Sequence, residues 1–92
     1  MRLAVEMAVM KMDGEISAVA VGEDSAKFHG MLRLNEESAD IITLLGIAKE
    51  GITLDCLVRS LHTKYTESTL EEIKSFTEDF LKQLRQEGLL IG

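Results

Sequence analysis

Apart from its carboxylates, the side chains of this 92-residue sequence best suited to ligate a metal or to act as nucleophile and base near neutral pH are Cys56, His29 and His62. None has a second ligand three or four residues away on a helix, the spacing at which side chains converge on one ion, so no metal site is expected. Cys56 and His62 are six residues apart, about 600° around a helix. They lie on different faces and do not form a thiolate and its base. Adjacent carboxylates at Glu71-Glu72 and Glu78-Asp79 fall on exposed helix positions, where a solvated face explains them better than an acid and base pair. Glycines at 14, 22, 30, 46, 51, 88 and 92 match no phosphate-cradling loop. The chain therefore carries no enzyme signature and implies no cofactor.

Charge narrows the partners. The net charge is -6, and residues 36 to 92 hold eleven acids against six bases while residues 1 to 35 hold five against four. A phosphate-binding surface would work against that field, so nucleic acid is disfavoured. No apolar run is long enough to span a bilayer, no signal peptide is evident, and the single cysteine cannot form an internal disulfide. A cytoplasmic setting is expected.

The elements that must position any site follow from period and punctuation. Residues 3 to 12 and 16 to 21 flank Asp13-Gly14, a dipeptide suited to a type I′ turn, and predict a hairpin. Gly22-Glu23-Asp24-Ser25 reads as a turn, and Phe28-His29-Gly30 as a bend or bulge before a strand from Met31 to Leu34. From Asn35, a cap candidate followed by Glu36 and Glu37, the period changes to 3.6. Ser38, Ile41, Ile42 and Leu45 share a face of the first helix, which should stop near Gly46 or fray towards Gly51. Thr53 caps a second helix with Leu54, Leu57, Val58, Leu61 and Tyr65 on one stripe. Ser68-Thr69-Leu70-Glu71 reads as a capping box for a third, whose stripe is Leu70, Ile73, Thr77, Phe80, Leu81 and Leu84. Leu89-Leu90-Ile91 is expected to pair with or pack on the sheet. The whole is one α+β domain over residues 1–92, β-rich to residue 34 and three-helical from 35. A three-stranded antiparallel sheet followed by three helices is the order of a winged helix-turn-helix relative.

Binding of protein or peptide is what these residues leave open. A short exposed strand offers main-chain N–H and C=O groups to an extended peptide, with Met31 and Arg33 projecting from one face beside its edge. On the third helix, Phe76 and Gln83 lie on one border of the apolar stripe, and Lys74, Leu81 and Arg85 on the other. Either border is a candidate for the opposite wall of a groove. Core or dimer packing accounts for Met31 and Phe76 nearly as well, and solvation for Arg33 and Lys74. A winged-helix regulator acting on DNA, or a homodimer through the Ala-rich hairpin, are the competing readings.

The run from Met31 to Ile41, the Ile-Thr-Leu start at 52 to 54, and Phe80-Leu81 through Gln86-Glu87-Gly88-Leu89-Leu90 resemble the PqqD family over about residues 16 to 91. Its members are peptide chaperones of pyrroloquinoline quinone biosynthesis and related recognition elements for ribosomally made, modified peptides. The resemblance implies a non-catalytic domain that binds the leader segment of a precursor peptide as an added strand. It would present that peptide to a modifying enzyme, commonly a radical S-adenosylmethionine protein. Carried over by position, the family's strand edge corresponds to Gly30 to Leu34 and its groove helix to the third helix; the peptide-binding residues expected at the edge are Phe28, Gly30, Met31, Leu32, Arg33 and Leu34. Lys74, Phe76, Leu81 and Arg85 of the third helix would complete the set. The linker Gly46 to Gly51 is longer than the family's usual turn, and Cys56 stands where an acidic residue is common.

Overall fold

The computed structural model describes residues 1–26, 28 and 30–92. In chain order it contains β1 (Arg2–Leu3), β2 (Met7–Met12), β3 (Glu15–Ala20), a 3-10 turn (Gly22–Ala26) and β4 (Met31–Leu34). The helices α1 (Glu36–Ile47), α2 (Leu54–Lys64) and α3 (Leu70–Gln86) follow, and β5 (Leu90–Ile91) ends the chain. Asp13 and Gly14 take φ of 51° and 79°, the left-handed pair that a type I′ turn requires. They set Met12 opposite Glu15 and Met7 opposite Ala20. β4 then pairs antiparallel with β3, Val19 opposite Met31 and Ile16 opposite Leu34, giving the sheet order β2-β3-β4. The expected α+β, winged-helix-like order of three strands and three helices is the one found.

The N-terminal strand is shorter than its sequence suggests. Residues 3 to 12 do not form one strand, because the chain bends at Ala4 and Val5. There Ala4 donates its N–H to Leu89 O at 2.8 Å and Val5 is buried. The two ends of the chain pair instead, Arg2 opposite Ile91 and Leu3 opposite Leu90. Leu89 to Ile91 thus close a separate two-stranded ribbon and do not extend the main sheet.

Alternation assigns the faces of that sheet. Register aligns Met7, Val9, Ile16, Ala18, Leu32 and Leu34 on one side and Met10, Met12, Glu15, Ser17, Met31 and Arg33 on the other. Ala18, in the central strand, is wholly buried, and the core it joins contains Ile41, Ile42 and Leu45 of α1. α2 contributes Leu57, Val58 and Leu61, and α3 contributes Ile73, Phe80, Leu81 and Leu84. Leu70, placed on the same stripe by its spacing, is 49% exposed, since it begins α3 before the helix reaches the core.

Caps fix the helix starts. Asn35 Oδ1 accepts the Ser38 N–H at 2.8 Å, and Ser38 Oγ accepts the Asn35 N–H at 2.9 Å. The α3 capping box lies one residue beyond the expected Ser68 and Glu71. Thr69 Oγ1 accepts the Glu72 N–H at 3.1 Å and Glu72 Oε1 accepts the Thr69 N–H at 2.9 Å. Between α1 and α2, Asp40 Oδ2 receives the Tyr65 hydroxyl and the Lys64 ammonium, the latter at 3.0 Å. Burial first, then the bond to Asp40, pushes the Tyr65 phenol up.

Two stability outcomes follow. Thr77 is fully buried in α3 and its hydroxyl has no hydrogen-bond partner. Thr77→Val removes that uncompensated group, and should stabilise the fold by about 1 kcal/mol in urea unfolding. Hydrogen bonds from Thr69 lower the Glu72 carboxyl below its ordinary 4.5. Ionised Glu72 therefore contributes stability that is complete above that ordinary value and is lost as pH falls through the lowered one. The melting-temperature gap between wild type and Glu72→Ala should be constant near neutrality and shrink under acid.

Candidate functional site

Among the described residues, β4 has a partner strand on one side only. The two-residue turn makes Met12 and Glu15 a hydrogen-bonded pair, and alternation continues this to Glu6, whose C=O accepts the Val21 N–H at 3.0 Å. On β3, residues 16 and 18 are then left to bond Leu34 and Leu32. The N–H and C=O groups of Met31 and Arg33 consequently point away from the sheet, along an open edge. Their side chains stand on the outer sheet face, Met31 61% exposed and the Arg33 side chain 83% exposed. Arg33 Nη1 leans towards Glu15 Oε1 at 3.6 Å on that face, an ion pair that solvent leaves weak.

α3 runs beside this edge, set back from it. No α-carbon of α3 comes within 8 Å of an α-carbon of β4. The intervening groove, about 380 Å³, is bounded by Arg33, Asn35 and Ser38 on one side and by Phe76, Asp79, Phe80 and Gln83 on the other. A larger recess, about 810 Å³, lies between α2 and the start of α3, beside Val58, Leu70 and Lys74. It is walled by helices and contains no strand, and thus offers an extended chain no ladder to join.

The structure brings together some of the residues singled out in the sequence and separates others. Phe76 faces β4 across the groove, so the border of α3 nearest the edge is the one with Phe76 and Gln83. On the other border, Lys74 lines the recess against α2, Leu81 is 3% exposed in the core, and Arg85 donates from Nη2 to Gly92 O. Leu32 and Leu34 are half-buried on the core face, holding the strand down. Phe28 also packs on the core, and its ring covers Gly30, where a Cβ would approach Phe28 Cζ to 2.9 Å. His29, read as part of the bend before β4, lies outside the described residues.

Asn35, Ser38, Asp79, Phe80 and Gln83 were not expected as groove residues, apart from the border position of Gln83. Asn35 reads as a cap and Phe80 as core, and both are so used while also facing the groove. The signal for Asp79 and Gln83 is their spacing of three and seven from Phe76, which puts all three on one helical side. Cys56 is exposed at the start of α2, where its N–H donates to Thr53 Oγ1. Among the described residues no cluster of three or more potential metal ligands occurs, and no helix is long and apolar enough to cross a membrane.

The family model of coenzyme PQQ synthesis protein D (PqqD) matches residues 6–90, from the bend before β2 into β5. Searches of the curated proteins and of the solved structures gave no significant match. With nearly the whole chain spanned by one family model, including both walls of the groove, this chain belongs to the PqqD family.

Proposed function

We propose that this domain binds the leader segment of a ribosomally made precursor peptide as a fourth strand on β4, and presents the rest of that peptide to a modifying enzyme. A radical S-adenosylmethionine protein is the class of enzyme that fits this role. Membership of the PqqD family supports an accessory, peptide-binding role in coenzyme PQQ synthesis rather than a catalytic one. The observation that carries the strand-addition mode is the open edge of β4 facing α3 across a groove.

The division of labour follows from strand geometry. Main-chain bonds to Met31 and Arg33 supply affinity without regard to sequence, and alternate ligand side chains supply selectivity. Those facing inward meet Phe76 and Phe80, whose rings offer apolar area with little rotamer entropy to lose. Those facing outward lie beside the Met31 and Arg33 side chains.

The test separates backbone from side chain. Arg33→Pro removes an N–H that β3 does not use, so the domain should keep its circular dichroism spectrum, since proline is tolerated at such an edge. Calorimetric titration with a synthetic leader peptide, taken from a short open reading frame beside the gene, should show binding weakened at least about tenfold. Unchanged affinity in the folded variant would refute strand addition at β4. Phe76→Ala should weaken the same peptide by roughly 1–2 kcal/mol if its ring anchors the ligand.

A further inference from the structure

The two walls of the groove differ in electrostatic state. Arg33 is the one cation among the lining residues, and its guanidinium leans over the outer sheet face towards Glu15. On the helical wall Asp79 sits between Phe76 and Gln83, and among the described residues its carboxylate has no hydrogen bond or ion pair. The neighbouring acid Glu78 lies on the same stretch of α3, and the chain as a whole carries a net charge of -6. A peptide laid in the groove would strip water from Asp79 and leave that charge without compensation unless the ligand supplies it.

We propose that Asp79 makes the groove selective for a leader segment that carries a lysine or arginine two residues from an apolar anchor. The inference rests on strand addition at β4 and adds to it a rule for the ligand's sequence. In an added strand, residues i and i+2 face the same side, about 6.8 Å apart. Phe76 and Asp79 are three residues apart on α3, about 4.5 Å along its axis. With the added strand running along α3, an anchor seated on Phe76 would place its i+2 neighbour near Asp79, within reach of a long basic side chain. An acidic residue there would be repelled, which excludes the wrong peptides as well as favouring the right ones.

Asp79 is exposed and unpaired, so it can be changed without disturbing the core. A display library of random 12-residue peptides would be selected separately on wild type, Asp79→Lys and Arg33→Pro. Wild type should enrich peptides with a basic residue two positions from an aliphatic or aromatic one, and Asp79→Lys should replace that base with Asp or Glu. By fluorescence anisotropy, a peptide selected on wild type should bind Asp79→Lys roughly tenfold more weakly, with Asp79→Asn between the two. The same consensus from both proteins, or edge-dependent peptides without a basic position, would overturn the role of Asp79 and leave strand addition standing. Recovery of no peptide whose binding is lost in Arg33→Pro would overturn strand addition, and this inference with it.

Discussion

The reciprocal hydrogen bonds of Asn35 and Ser38 join a strand to a helix with one residue between them. Because β4 ends at Leu34 and α1 begins at Glu36, the chain has no length in which to wander before it leaves the sheet. The cap at once supplies partners for the Ser38 N–H of the first helical turn and for the Asn35 N–H. The next element after β4 is therefore a helix packed beneath the sheet, not another strand beside it. β4 stays an edge for that reason, and the groove exists because the edge does.

The packing of α1 beneath β3 depends on small side chains in the sheet. Ala18 is wholly buried in the core that α1 shares, and a longer residue there would push the helix away from the central strand. α1 in turn carries Asp40, which holds the end of α2 through Tyr65 and Lys64. α3 follows α2 after a short turn, so its distance from β4 is inherited from this chain of contacts. The width of the groove is thus a property of the whole core.

An open edge is a hazard for a small domain, because it invites pairing with any extended chain. Here the edge is only four residues long, with a charged side chain at Arg33. α3 overlooks it with the Asp79 carboxylate on its near wall. A short edge with a charged side chain is a poor template for indiscriminate pairing.

Much of this was legible in the residues themselves. Asp13-Gly14 required a turn with two positive φ values, the change of period at Asn35 marked the switch from sheet to helix, and Thr53 and Gly88 bounded the helices. All of these are local preferences, set by backbone sterics and by hydrogen bonds between near neighbours. Three matters were not local. The N-terminal strand breaks at Ala4 because residues at the far end of the chain, Leu89 to Ile91, compete for its pairing. The α3 cap moved to Thr69 and Glu72 because both Ser68 and Thr69 can cap, and packing of the stripe selects between them. The border of α3 that faces β4 could not be read from periodicity, which identifies an apolar stripe but not the element on either side of it. Only the packing of α1, α2 and α3 around one core sets the rotation of α3, turning Phe76, Asp79 and Gln83 towards the edge and Lys74 away from it.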